Sequence, residues 1–315
     1  MSEQLDATTW LAERTSSIAD WPAELLLACK GAQRVCVVLP ARNEAATVGD
    51  IVAAIIARHG SGSRPLVDEV LVVDSGSHDA TAAISAAAGA RVVASALAGK
   101  GEAMWRGVAA TDADLVAFID ADLESFDPGF VTGLLGPLLT DPTVEFVKAT
   151  YDRPTAAGGS LGGGRVTELM ARPLLAAFWP ELAGVLQPLS GEYAARRCLL
   201  ERLPFRCGYG VDIGLLIDTW SDVGLDAIAQ VDLYRRHHRH SDLPALGRMA
   251  AEVLQTVLDR LAVAGRVPAD LALTTEMAQP ERLEGGLGVV RHEIDTRERP
   301  PQRLAERLAL EQVWA

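Results

Sequence analysis

The sequence has little lysine and little positive charge overall. Its 29 lysines and arginines are outnumbered by 42 aspartates and glutamates, for a net charge of −13, and its lysines are Lys30, Lys100 and Lys148. Nucleic acids and anionic membranes attract proteins with a positive surface, so this balance argues against both as partners. No apolar run approaches the roughly 18 residues that span a bilayer, and we expect a cytoplasmic protein.

Cysteine is scarce as well, and two common phosphate-binding motifs are missing. The four cysteines include no Cys-x-x-Cys pair, so we expect neither a structural zinc site nor a disulfide framework. No segment reads Gly-x-Gly-x-x-Gly, and Gly99-Lys100 lacks the upstream glycine and the following Ser or Thr of a P-loop. These absences argue against a nicotinamide-dependent dehydrogenase and a P-loop ATPase.

From residue 34 onward, short apolar runs alternate with amphipathic segments. This alternation is typical of an α/β protein with a Rossmann-like, mostly parallel sheet flanked by helices. We divide the 315 residues into an N-terminal extension (1–33), a main domain (34–240) and a helical C-terminal extension (241–315) that is peripheral or an oligomer contact. We predict strands at 35–39, 70–73, 91–93, 115–119, 144–147 and 227–231, and helices over 48–60, 77–89, 211–220 and 243–264.

Polar residues follow three of the predicted strands. Residues 40–44 follow the first strand, residues 74–77 the second, and Asp120 and Asp122 the fourth. Ligands of open α/β sheets bind beyond the carboxyl ends of the strands, so we expect these segments to share one site. Asp120 and Asp122 can project to the same side of an extended segment and offer the oxygen ligands that Mg²⁺ or Mn²⁺ prefers. The alternative is that both aspartates only begin a loop.

Three further segments offer positive charge or free backbone N–H groups. Lys100, between two glycines, could neutralise a diphosphate or could be a solvated lysine in a turn. The glycine run that ends at Gly164 precedes a predicted helix, where Arg165 and Thr167 could help to hold a phosphate or carboxylate, unless the run is a linker. Residues 235–240 read Arg-Arg-His-His-Arg-His, which suits a metal or anion site or a solvated face.

Together these motifs resemble those of the retaining GT-A glycosyltransferases that form glucosyl-3-phosphoglycerate or mannosyl-3-phosphoglycerate. The resemblance spans about residues 34–240, in order. It rests on residues 38–44, 74–77, 99–103, Asp120-x-Asp122, 162–169, 187–193 and 208–230.

The resemblance implies a GT-A fold and transfer of glucose from UDP-glucose to the 2-hydroxyl of 3-phosphoglycerate, with Mg²⁺ or Mn²⁺ as cofactor and a homodimer as assembly. Residues 34–122 would bind the nucleotide sugar and residues 123–240 the acceptor. The donor would contact Pro40, Ala41, Asn43, Glu44, Ser75, Lys100, Asp120 and Ala121; the acceptor Gly164, Arg165, Val166, Thr167, Tyr209 and Arg236; and the cation Asp122, His238 and Asp120. Asp122, Lys100, Leu189 and Asp212 would act in catalysis, with a backbone carbonyl of Leu189 near the anomeric carbon.

Three residues depart from the pattern of that family. Arg42 stands in place of a leucine, Asp212 of a glutamate and His240 of an asparagine. The donor sugar therefore stays open. The alternatives are an enzyme of the same fold that uses GDP-mannose or another acceptor, and a non-catalytic protein that binds a sugar nucleotide. No carboxylate stands out as a nucleophile, so we favour front-face attack over a covalent intermediate as the route to retention.

Overall fold

The computed structural model describes residues 7–152, 164–235, 242–283 and 286–305. The strands are β1 (Thr15–Ser17), β2 (Val35–Ala41), β3 (Glu69–Asp74), β4 (Arg91–Ala94), β5 (Leu115–Phe118), β6 (Phe146–Asp152), β7 (Tyr193–Arg196), β8 (Phe205–Arg206), β9 (Ile228–Arg235), β10 (Glu276–Leu283), β11 (Gly286–Glu293) and β12 (Glu298–Arg299). The helices are α1 (Ala7–Glu13), α2 (Ala23–Cys29), α3 (Val48–His59), α4 (Thr81–Ala87), α5 (Lys100–Ala109), α6 (Gly129–Thr140), α7 (Arg172–Phe178), α8 (Arg197–Leu200), α9 (Val211–Val223) and α10 (Leu243–Val263).

Eight strands form one sheet in the order β1-β9-β6-β7-β5-β2-β3-β4. β7 runs antiparallel to its neighbours β5 and β6, and the other neighbouring pairs are parallel. Each strand predicted from the sequence overlaps a strand of this sheet, which confirms the mostly parallel architecture. β7 was not predicted, because its four residues lie directly beside a short helix and give no pattern of their own.

The sheet is buried on both faces. Val35, Val37 and Leu39 of β2 belong to the core that α3 and α6 cover, while Cys36 and Val38 belong to the core that α5, α9 and α10 cover. All five side chains are inaccessible to solvent. Burial on both faces explains why this strand reads as an unbroken apolar run rather than as an alternating one.

The N-terminal extension is part of this fold. β1 pairs with β9 at the edge of the sheet. The buried indole Nε1 of Trp10 lies within hydrogen-bonding distance of two backbone oxygens, 3.1 Å from Leu225 O and 3.0 Å from Ile228 O. Within the described ranges, no helix combines the length and the apolarity that crossing a membrane requires.

The C-terminal extension begins with the predicted helix, α10, and continues with strands that the prediction of a helical extension did not include. β10 and β11 form an antiparallel hairpin, and β12 pairs with β8 of the main domain. Ile294, between hairpin and β12, is buried. The charged and proline-rich composition of the tail concealed these contacts, because they are made by polar side chains and backbone groups rather than by an apolar stripe. The end of the predicted helical extension, residues 306–315, lies outside the described residues.

Candidate active site

A cavity of about 730 Å³ opens at the carboxyl ends of β2, β3 and β5. Loops that follow these strands supply one wall, and the N-terminus of α5, the loop before α9, α10 and the C-terminal segment supply the others. Its lining residues are Pro40, Ala41, Arg42, Glu44, Ser75, Ala98, Gly99, Lys100, Ala103, Asp120, Ala121, Asp122, Gly208, Tyr209, Glu252, Glu293, Asp295 and Arg297. The structure thus brings the three predicted polar loops to one place.

Asn43 is a predicted donor residue that the lining leaves out. Its backbone N–H donates to Ser77 Oγ at 2.9 Å, and its side-chain Oδ1 accepts from the backbone N–H of His78 at 2.8 Å. Its φ angle of 59° is in the left-handed region that Asn tolerates better than most residues. Asn43 therefore joins the loop after β2 to the loop after β3.

Ser75 links the end of β3 to the turn that carries Lys100. The side chain is 6% exposed, and its Oγ accepts the backbone N–H of Gly99 at 3.1 Å. The hydroxyl is thus committed to holding this turn at the cavity wall, next to the start of α5.

Lys100 lies between two carboxylates. Its Nζ is 3.1 Å from Asp120 Oδ1 and 3.1 Å from Asp212 Oδ2. Burial by itself would lower the pKa of Lys100, but Asp120, Asp212 and Glu192 together raise it above its ordinary value. The lysine is therefore a fixed positive charge at the cavity floor. Asp212 is 5% exposed and reaches the cavity through this contact rather than by lining it.

Gly191 explains part of the motif at residues 187–193. A Cβ atom at this position would overlap the carboxylate of Asp120. The absence of a side chain therefore lets the loop before β7 pass close to the end of β5.

Lys148 is a buried residue of this site that the sequence analysis missed. It is 1% exposed, its Nζ donates to Ser190 O at 2.8 Å, and it lies 4.2 Å from the centre of the Tyr193 ring. Burial is the main cause that lowers its pKa to about 8. Lys148 carries no motif in the sequence, and the scarcity of lysine was the one signal that could have pointed to it.

The charges at the cavity favour a bound cation. Its lining contains six carboxylates, those of Glu44, Asp120, Asp122, Glu252, Glu293 and Asp295, and three cations, those of Arg42, Lys100 and Arg297. Carboxylate oxygens are the ligands that Mg²⁺ and Mn²⁺ prefer, so Asp120 and Asp122 fit such an ion. The described part of the chain holds no cluster of three or more His, Cys, Asp or Glu side chains suited to a metal, and His238, the third predicted ligand, lies outside it.

The acceptor residues are less completely brought together. Tyr209 lines the cavity, whereas Arg236 lies outside the described residues, as does His240. Gly164, Arg165, Val166 and Thr167 form the start of the helical segment that continues through a π-helical turn at Thr167–Ala171 into α7; Arg165 is exposed, and Val166 and Thr167 are buried. None of these four is among the described residues that line the cavity, and Leu189 packs half-buried against the core.

The C-terminal part of the chain supplies site residues that the sequence analysis did not predict. Glu252 of α10 accepts the backbone N–H of Tyr209 at 2.6 Å, and burial raises the pKa of Glu252 to about 7. Glu293, Asp295 and Arg297 enter the same wall. No motif marks these residues, because their proximity depends on how the chain returns to the domain after the hairpin.

Comparison with known proteins agrees with this geometry. The model of the family "Glycosyl transferase family 2" matches residues 36–162 of this chain. Glucosyl-3-phosphoglycerate synthase of Mycolicibacterium paratuberculosis is 49% identical over 269 residues, which cover 81% of this chain and 80% of that protein. The chain belongs to the glucosyl-3-phosphoglycerate synthase family.

Two solved structures extend the match to the whole fold. Mannosyl-3-phosphoglycerate synthase from Rubrobacter xylanophilus superposes with a TM-score of 0.86 at 40% identity, covering 96% of this chain and 99% of that one. Glucosyl-3-phosphoglycerate synthase from Mycobacterium tuberculosis, in complex with Mn²⁺, UDP-glucose and phosphoglyceric acid, gives 0.78 at 44% identity, covering 90% and 95%. The predicted GT-A fold of this synthase family is thereby confirmed.

Proposed function

We propose that this protein is a metal-dependent retaining glycosyltransferase that transfers glucose from UDP-glucose to the 2-hydroxyl of 3-phosphoglycerate. The observation that carries the proposal is the cavity at the strand ends, where Lys100 lies between Asp120 and Asp212. Support comes from the Mycobacterium tuberculosis synthase, which binds Mn²⁺, UDP-glucose and phosphoglyceric acid in one crystal structure.

The donor is assigned to the wall built by β2, β3 and α5. Pro40, Ala41, Glu44 and Ser75 would contact the uridine part, and Lys100 the diphosphate. Asn43 would act by holding the two loops together through Ser77 and His78. Ala121 completes the same wall beside the two aspartates.

Asp120-Ala121-Asp122 is proposed as the metal-binding motif, with Asp122 and His238 as direct ligands and Asp120 beside them. Structures of the Mycobacterium tuberculosis enzyme contain Mn²⁺ or Mg²⁺ together with UDP. A bound divalent cation would neutralise charge that develops on the departing diphosphate. Because six carboxylates surround the cavity, the site offers the negative charge that such an ion requires.

The chemical step breaks the bond between sugar C1 and the diphosphate oxygen and forms a bond from C1 to the acceptor 2-oxygen. Lys100 stabilises the departing UDP by its positive charge. In front-face attack the proton of the acceptor hydroxyl passes to the departing phosphate oxygen, and no protein nucleophile is needed. Asp212 keeps the Lys100 ammonium in place at 3.1 Å, and the backbone carbonyl of Leu189 would lie near C1.

The acceptor is assigned to the segment at the start of the α7 helical region. Gly164, Arg165, Val166 and Thr167 would bind its phosphate and carboxylate with backbone N–H groups, guanidinium and hydroxyl. Tyr209 and Arg236 would complete this side. Tyr209 is half exposed in the cavity wall and is available for such a contact.

A mannosyl transfer from GDP-mannose is the second candidate, because the Rubrobacter xylanophilus structure that matches over almost the whole chain is a mannosyl-3-phosphoglycerate synthase. The two reactions differ in nucleotide and in sugar. Incubating the protein with Mg²⁺, 3-phosphoglycerate and either UDP-glucose, ADP-glucose or GDP-mannose distinguishes them. We expect an α-linked product from UDP-glucose; product from GDP-mannose alone would favour the alternative, and no product from any donor would contradict both.

We further propose a cytoplasmic homodimer. The four cysteines are free thiols, as is usual in a reducing compartment. The β10–β11 hairpin exposes Leu287 and Val289 on one face, which suits contact with a second copy. Light scattering coupled to gel filtration measures the mass, and a monomer at micromolar concentration would contradict the dimer.

A further inference from the structure

The C-terminal arm, defined as residues 294–302, contacts the first turn of α5, the helix that begins with Lys100. Arg299 makes two hydrogen bonds to Glu102, from Nε to Oε2 at 2.6 Å and from Nη2 to Oε1 at 2.8 Å. Glu102 is 1% exposed. A buried carboxylate depends strongly on its partner, so this pair fixes the arm to the helix.

A second set of contacts joins the arm to the next turn of α5. The indole Nε1 of Trp105 donates to Pro300 O at 3.0 Å, and the side-chain amide of Gln302 donates to Trp105 O at 2.8 Å. The Arg299 guanidinium lies 5.1 Å from the centre of the Trp105 ring. The arm therefore follows one side of α5 for two turns.

On its other side, the start of α5 contacts the loop that carries Tyr209. The backbone N–H of Glu102 donates to Cys207 O at 3.1 Å, and the N–H of Cys207 donates to Arg297 O at 2.9 Å. A Cβ atom at Gly101 would overlap Arg206 O. The helix start is thus enclosed between this loop and the arm, and each contact limits where Lys100 can lie.

We propose that Arg299 is a positioning residue of the donor site. Through Glu102 it holds the N-terminus of α5 so that Lys100 remains between Asp120 and Asp212, where the donor diphosphate is to bind. This inference rests on the proposed function. Arg299 is not among the described residues that line the cavity, so it acts through another residue and not on the substrate.

The test compares Arg299→Gln, Glu102→Gln and the double variant that carries both changes. Arg34→Gln is the matched control, because Arg34 is exposed and pairs with Asp112 before β2 and β5, away from the cavity. Calorimetry measures the Kd of UDP with Mn²⁺ and the Kd of 3-phosphoglycerate, at a temperature where circular dichroism shows each variant folded. We expect Arg299→Gln to raise the Kd of UDP about tenfold, the size of a lost charged hydrogen bond.

The Kd of 3-phosphoglycerate should stay unchanged, and the double variant should bind UDP no more weakly than Arg299→Gln, because both changes break one pair. Arg299→Lys keeps the charge but not both bonds and should give an intermediate Kd. It also provides a milder variant if Arg299→Gln does not fold.

A folded Arg299→Gln or Arg299→Lys with the wild-type Kd for UDP would overturn the proposal. Equal weakening of UDP and 3-phosphoglycerate binding would also overturn it, because that result indicates a general structural role. Failure of the wild-type protein to bind UDP with Mn²⁺ would instead overturn the proposed function, so the two failures are separable.

Discussion

The residues proposed to bind the donor and those proposed to bind the acceptor come from differently built parts of the chain. Most of the proposed donor residues lie at the carboxyl ends of β2, β3 and β5 or directly after them, where parallel pairing fixes the register. The proposed acceptor residues come from the α7 helical region, from the loop before α9 and from the chain after β9. A strand end in a buried sheet has little freedom, whereas the position of a residue on the other segments depends on long-range packing.

This difference suggests that donor binding is a property of the sheet and acceptor binding a property of the surrounding chain. If so, changes on the donor side should abolish turnover, while changes on the acceptor side should weaken the affinity for 3-phosphoglycerate and leave the donor bound. Each side can therefore be tested through its own substrate.

The largest effect is expected from Asp122→Ala. Because this change removes a proposed direct ligand of the cation, we expect turnover to fall about a thousandfold at saturating substrate. Steady-state rates with Mg²⁺ measure the effect. Asp112→Ala is the control, since Asp112 is an exposed residue that pairs with Arg34 and lies before β5, at the amino ends of the strands and away from the cavity. Near-normal activity in Asp122→Ala would contradict the metal assignment.

Arg165→Ala should give a smaller and more selective effect. Loss of a charge-assisted hydrogen bond to the acceptor should raise the KM for 3-phosphoglycerate about tenfold or more while the KM for UDP-glucose stays unchanged. Arg34→Ala, at the amino end of β2, is the matched control. A change in the KM of the donor instead would remove the distinction between the two sides.

How far the sequence predicts the site follows the same division. Asp120, Lys100 and Ser75 were identified because each lies at a strand end or in a glycine-flanked turn, where a few neighbouring residues reveal the position. Glu252 and Arg297 could not be found in this way, since α10 and the segment after the hairpin reach the cavity from far along the chain. Local pattern predicts the strands and their loops; it does not predict which distant segment covers them.

Lys148→Met tests how a buried lysine beside the donor side affects stability and turnover. Burial lowers the pKa of Lys148 from its ordinary value of 10.5 to about 8, and the charged groups around it are Asp212, Lys100, Glu192 and Asp120. Between pH 8 and 10.5 the unfolded chain therefore holds a proton that the folded protein has lost, so this residue makes stability rise with pH.

The substitution should remove that contribution. The Tm of the wild type should therefore increase relative to the Tm of Lys148→Met as the pH rises from 8 to 10. Thermal unfolding at four pH values measures the difference. A constant difference across this range would show that Lys148 does not titrate there. We also expect a lower turnover number, because the variant loses the hydrogen bond to Ser190 next to Leu189.

The smallest effect is expected from Glu252→Gln, which lies between the two sides. Glu252 lines the cavity and accepts the N–H of Tyr209, and burial raises its pKa to about 7. Above that pH its carboxylate adds negative charge next to two anionic substrates, so the KM for 3-phosphoglycerate should rise a few-fold, roughly two to five times, from pH 6 to 8. The glutamine keeps an oxygen acceptor for Tyr209 but cannot ionise, and its KM should stay flat over this range. If wild type and variant share one pH profile, Glu252 does not contribute to the charge that the acceptor meets, and the boundary between the two sides must lie elsewhere.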